Sequence, residues 1–146
     1  MYRNPKPTTD VAVLKDRRVV LVRRGREPYM GKWAFPGGFV EHGETVENTA
    51  VREVLEETSI KTKLIGILGV YSDPSRDPRD HLVSIVFVGS LVDGEPKGGD
   101  DAAEARWFDI DSINPDDLAF DHATILADLK HWLNNEGRTF WSTKSR

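Results

Sequence analysis

Short β-branched runs at residues 11–14 and 18–22 flank Lys15-Asp16-Arg17, and this pattern of two apolar stretches around a polar turn predicts a β-hairpin. After a loop over 25–31, Trp33-Ala34-Phe35 runs into Pro36-Gly37-Gly38, a strong turn signal. Residues 45–58 then mix polar and apolar positions without Gly or Pro, which predicts a helix. Strand-like stretches follow at 64–70 and 82–92, the second apolar enough to be central, with a charged, proline-broken loop between them. A short strand is expected at 105–108. The last element, about 122–135, carries Ile125, Leu126, Leu129, Trp132 and Leu133 on one helical stripe, with Asp121 as N-cap and Gly137 as C-terminal stop. Strands, a helix, more strands and a closing helix make an α/β fold, a mixed sheet sandwiched by helices.

The first helix poses an electrostatic problem. At about 100° per residue, Val46, Ala50, Val54, Val51 and Leu55 span one apolar arc expected to face the core. Glu53 and Glu57 overlap or edge that arc and Glu56 lies nearby, so three carboxylates crowd beside buried surface. Glu53 and Glu57 form an i, i+4 like-charge pair, costing an isolated helix about 0.2–0.5 kcal/mol, and more when desolvated. Arg52 reaches Glu56 at i+4, leaving the other two without a local partner. Residues 41–57 hold six glutamates against Arg52 alone, more negative charge than the whole protein's net −4. A cation is therefore expected. Oxygen donors without Cys or paired His favour Mg²⁺ or Mn²⁺ over Zn²⁺. Such sites complete their shells with water and substrate phosphates, so a phosphate ester or anhydride is the natural substrate. The competing reading, a solvated glutamate face, is weakened by the adjacent apolar arc and the preceding Gly37-Gly38 turn.

Composition removes other classes. At 146 residues the chain is the size of one domain, taken here as 1–146. With no cysteine, disulfides, zinc thiolates and cysteine nucleophiles are excluded, and a reducing, cytoplasmic setting is expected. A pI of about 5.6 argues against a nucleic-acid polymer as partner. No apolar run of membrane-spanning length is present, and the first ten residues do not read as a secretory signal, so no membrane partner is expected. His42, His81, His122 and His131 are scattered without metal-cage spacing and are expected as surface or capping residues.

Gly38, Glu44 and then Arg52-Glu53-Val54-Leu55-Glu56-Glu57, closed by Ile60, resemble the 23-residue signature of the Nudix hydrolases. One position departs: Ser59 stands where the family carries Gly, which puts the helix terminus in question, not the carboxylates. The resemblance implies an α/β/α sandwich around a mixed sheet, with water attacking a diphosphate linked to another moiety. It implies that Glu53, Glu56 and Glu57 ligate or orient divalent cations, joined by the Gly38 carbonyl. Arg52 would orient the glutamates and Glu44 brace the loop before them. A further acid often comes from a distant loop, here Asp101 or Glu104 in the Gly-hinged segment 98–104. The family also leaves a homodimer open, since many diphosphate-sugar members are dimers.

The loop over 71–81 carries the substrate signal. Arg76 and Arg79 are suited to phosphates and Tyr71 offers a ring for base stacking. Its Ser-Asp-Pro-x-Arg-Asp-Pro-Arg run resembles a segment of Nudix ADP-ribose pyrophosphatases. Arg24 and its neighbours Arg23 and Arg26 are further candidates for phosphate, whereas Trp33 reads as core. The expected reaction is Mg²⁺-dependent hydrolysis of ADP-ribose to AMP and ribose 5-phosphate. Two alternatives stay open: a pyrophosphatase of triphosphates such as 8-oxo-dGTP, and a nucleotide-sensing module that does not cleave. The aromatic tail Phe140-Trp141 is expected to pack on its own core or on a partner.

Overall fold

The computed structural model describes residues 2–134 and 138–143. In chain order it contains β1 (Lys6–Lys15), β2 (Arg18–Arg24), β3 (Trp33–Ala34), β4 (Gly37–Phe39), α1 (Val46–Thr58), β5 (Lys61–Tyr71), β6 (Leu82–Asp93), β7 (Ala102–Asp109), α2 (His122–Leu133) and β8 (Phe140–Trp141). Two 3₁₀ turns, Ile110–Ser112 and Pro115–Asp117, join β7 to α2. The sheet runs β3-β2-β1-β6-β5-β8, with β4 also on β1 and β7 also on β2. β1 is parallel to β6 and β5 to β8, whereas the other pairings are antiparallel. The expected mixed sheet between helices is therefore present.

Alternation along β1 sorts the core. Val11 and Val13 turn to one face, where they meet Ala50 and Val54 of α1. Ala12 turns to the other, where Phe35, Leu68 and Val86 meet Ile125, Leu126 and Leu129 of α2. Burial on both faces makes β1 and β6 central.

Sequence and structure differ in instructive places. β1 starts at Lys6, well before the expected residue 11, because its backbone pairs with β6 from Leu82 onward. The polar Lys6-Pro7-Thr8-Thr9-Asp10 lead-in carries no apolar signal for this. β5 and β7 also extend beyond their expected bounds. α1 begins on Thr45, whose side chain accepts from the Asn48 amide, and ends on Ser59 in a left-handed conformation, φ 64°. Ser59 thus takes the backbone expected of Gly, and its N–H reaches the Leu55 carbonyl at 2.9 Å.

The buried side of α1 is rotated from the expected arc. Thr49, Ala50, Val54 and Thr58 are buried, while Leu55 is 53% exposed. The two threonines tolerate this because their hydroxyls donate to carbonyls one turn back, of Thr45 and Val54. At about 100° per residue, the arc from Thr49 to Thr58 is centred close to Glu57. Glu53 and Glu57 therefore face inward more directly than the apolar pattern implied.

Asp121 precedes α2 as expected but makes no side-chain cap; its carboxylate is taken by Arg76 instead. The proposed stop at Gly137 lies outside the described residues. Phe140 is buried in the chain's own core beside Gly69, whereas Trp141 is half-exposed. Trp33 is only partly buried, edge-on to Phe108 and beneath the Arg106 guanidinium. Among the described residues no helix is long and apolar enough to cross a membrane.

Candidate active site

Arg52 organises the N-terminal half of the site. Its Nε and Nη2 donate to the two oxygens of Glu44 at 2.6 and 2.9 Å, and Nη1 donates to Glu53 at 2.9 Å and Glu56 at 3.1 Å. Glu44 also accepts from the Thr49 hydroxyl and the Glu41 amide, tying the loop before α1 to its second turn. Hydrogen bonds from Arg52, then from Thr49 and Glu41, hold the Glu44 carboxyl down at about 2. The same network raises the Arg52 pKa.

Glu57 has different company. Its Oε1 accepts from the Gly37 amide at 2.9 Å, and among the described residues no cation pairs with it. Burial, aided by the charges of Glu53, Asp10 and Asp100, pushes its carboxyl up to about 8 against the pull of the Gly37 N–H. Burial also raises Glu53, with Arg52 opposing. A β-carbon at Gly38 would displace the Glu53 carboxylate from its present position. Such a β-carbon at Gly37 would fall on the Thr9 carbonyl and 2.6 Å from Asp10 Oδ1.

These groups border an open cavity of about 520 Å³. Glu53, Glu57, Gly38, Arg24, Arg76, Arg79 and Asp101 all line it, so most of the sequence candidates converge on one space. Arg24 donates to the Pro28 carbonyl at 2.6 Å and lies over the Phe120 ring at 4.9 Å; among the described residues no carboxylate is in ion-pair contact with it, although the charges of Asp77 and Glu57 reach it. Burial, then the neighbouring Arg79 charge, lowers its pKa. Arg79 also lies over Phe120, at 5.6 Å, but chelates Asp77. Arg76 is nearly buried and spends its Nε and Nη2 on Asp121 at 2.9 and 2.8 Å.

Several expectations are corrected. Tyr71 is fully buried and donates its hydroxyl to Asp128 at 2.7 Å, so its ring is core and cannot stack on a base. Glu104 does not line the cavity; it pairs with Arg23 and Arg106 on the exposed side of β7. Asp101, paired with Arg26 at 2.7 Å, lines the cavity together with Asp100, which the sequence reading passed over. Glu56 also stands outside the lining, held by Arg52. His122 is buried, not a surface or capping residue: its Nδ1 accepts from the Phe35 amide at 3.0 Å, and it lines the cavity with Asp10 and Phe120. No spacing rule could have found these three, because β1 and the turn into α2, far apart in the chain, meet only in the tertiary fold.

The donor set fits a hard divalent cation. Glu53 and Glu57 supply carboxylate oxygens, cysteine is absent from the chain, and the missing side chain at Gly38 lets the Glu53 carboxylate lie against its backbone. Among the described residues no three acidic or imidazole groups already form a cage. The sequence profile of the NUDIX domain matches residues 4–129. The chain is a Nudix hydrolase.

This Nudix hydrolase is 47% identical over 134 residues to an ADP-ribose pyrophosphatase of Methanocaldococcus jannaschii, covering 92% of this chain and 78% of that one. It is 27% identical to an ADPR responsive transcriptional repressor of Acinetobacter baylyi, covering 94% of this chain but 58% of the repressor. Among solved structures, a NUDIX hydrolase from Nitrosomonas europaea superposes with a TM-score of 0.82 at 29% identity, over 97% of this chain and 80% of that one. Nudix hydrolases generally use divalent metals.

Proposed function

We propose that this Nudix hydrolase cleaves the diphosphate of ADP-ribose, with Mg²⁺ or Mn²⁺, to give AMP and ribose 5-phosphate. One observation carries the reading: among the described residues a single cavity holds a carboxyl, Glu57, and a half-buried guanidinium, Arg24, neither of them in contact with an opposite charge, although each lies in the other's field. A metal-bound diphosphate satisfies both. The 47% identical pyrophosphatase supports ADP-ribose as the substrate.

In this reading Glu53, Glu57 and the Gly38 carbonyl would hold the cation, and Arg52 keeps Glu53 and Glu56 oriented. A divalent ion supplies charge neutralisation at the diphosphate oxygens and acidifies water. Arg24 and Arg79 take phosphate oxygens, which costs Arg24 little because it gives up no carboxylate. Asp101 or Asp100, on the cavity rim, accepts the proton of the attacking water. Arg76 acts at one remove, by fixing the loop that carries Arg79.

Product analysis over ADP-ribose, triphosphates and oxidised triphosphates tests this. AMP with ribose 5-phosphate is the expected result. A nucleoside monophosphate with pyrophosphate would favour the triphosphate reading, and tight binding without turnover would favour the sensing reading suggested by the repressor relative.

A further inference from the structure

The mechanism proposed above leaves one buried part of the cavity without a task. Asp10, on β1, and His122, at the start of α2, both line it; His122 is buried and the Asp10 side chain is 15% exposed. Ser84 donates to Asp10 Oδ2 at 2.5 Å, whereas Oδ1 has no hydrogen-bond partner among the described residues. The imidazole is fixed. Phe35 and Phe120 flank it with ring centroids at 5.6 and 5.8 Å, and the Phe35 amide donates to Nδ1. A lone pair on Nδ1 places the ring hydrogen on Nε2 when the ring is neutral. Burial lowers its pKa, against the opposing charges of Asp10 and Asp121.

Nε2 lies 3.9 Å from Asp10 Oδ1, too far for a hydrogen bond between them. The cavity therefore presents a free donor and a free acceptor side by side, both on rigid elements. Each hydroxyl of a vicinal diol both donates and accepts, and the two oxygens sit about one hydrogen-bond length apart. One hydroxyl can donate to Oδ1 while its neighbour accepts from Nε2. A purine edge suits the place less well. The Phe120 ring already carries Arg24 and Arg79, and Arg76 and Asp77 of the same lining are charged, so a ring beside the imidazole is engaged by guanidinium groups.

We infer that Asp10 and His122 form a subsite for the vicinal diol of a ribose attached to the diphosphate. Such a site makes the enzyme prefer ribose over deoxyribose substrates, and Gly37 leaves Oδ1 the space to act. The inference rests on the diphosphate reading of the cavity, but it is testable without turnover.

The experiment is calorimetric binding of two product pairs to the full chain: AMP against 2′-deoxy-AMP, and ribose 5-phosphate against 2-deoxyribose 5-phosphate. The wild type is expected to bind the ribo member of one pair about tenfold or more tightly, the loss of a buried hydrogen bond. The pair that discriminates identifies which ribose is held. His122→Phe, and His122→Gln should the first not fold, are expected to bring that ratio close to one, because each removes or moves the Nε2 donor. A purely structural role would weaken both members alike and leave the ratio intact. Equal binding within both pairs by the wild type, as when a water alone bridges Asp10 and His122, overturns the subsite, and so does a ratio that survives the substitutions. If ADP-ribose is not hydrolysed but the ribo preference stands, the substrate reading fails and the subsite does not.

Discussion

Glu57 concentrates the chemistry at the scale of single residues. Its carboxyl is buried among Glu53, Asp10 and Asp100, and the Gly37 N–H offsets only part of the cost. A carboxyl raised from 4.5 to about 8 on folding binds a proton that the unfolded chain releases over that interval. Stability of the metal-free protein therefore falls as pH rises from about 4.5 to about 8 on account of this group. Thermal melts in EDTA should show a lower Tm at pH 8 than at pH 6, a difference that shrinks in Glu57→Gln. An unchanged difference in that variant would remove Glu57 as its source. The sequence made Glu57 visible through its i, i+4 clash with Glu53. It hid Asp10, because an acid in a polar lead-in looks solvated until β6 and β4 close over it.

At the scale of elements, α1 was legible in extent and misread in orientation. Its boundaries follow from the Thr45 cap and the absence of Gly and Pro, but the wheel counted Val51 and Leu55 as core and left out Thr49 and Thr58. Threonines that return their hydroxyls to the helix backbone pass as apolar, and no hydropathy pattern records this. The terminus offers a direct measurement. Ser59 holds φ at 64°, a region in which a β-carbon is unfavourable. Ser59→Gly should stabilise the protein by about 0.5–1 kcal/mol, read by chemical denaturation. A loss of stability would mean that the serine side chain contributes more than the backbone relief. β1 shows the opposite limit: Pro7 and its charged neighbours conceal a strand that exists because β6 offers a parallel backbone.

On the scale of the whole molecule, the loop between β5 and β6 is held from several sides. Arg3 and Lys6 reach Asp80, Ser142 accepts from the Ser72 and Asp73 amides, and Arg76 locks onto Asp121 at the start of α2. The arginines of this loop suggested phosphate binding, and although both line the cavity the structure divides them: Arg76 is buried against Asp121 as an internal strut, and Arg79 is the more exposed. Arg76→Ala leaves Asp121 without its partner in a largely buried pair, and should cost about 3 kcal/mol or more by denaturation. A loss of under about 0.5 kcal/mol would show that the loop stands without the strut. Aromatic Tyr71 misled for the same reason, since only tertiary burial separates a core ring from a stacking ring.

The account as a whole turns on whether Glu53 and Glu57 grip a divalent cation together with the diphosphate. Electron paramagnetic resonance of free Mn²⁺, titrated with protein in the presence of a non-hydrolysable ADP-ribose analogue, reads this directly. The wild type should remove Mn²⁺ from solution, more strongly with the analogue than without it, and Glu53→Gln and Glu57→Gln should each weaken that uptake by tenfold or more. Equal uptake by the wild type and both variants, or none by any of them, would contradict it.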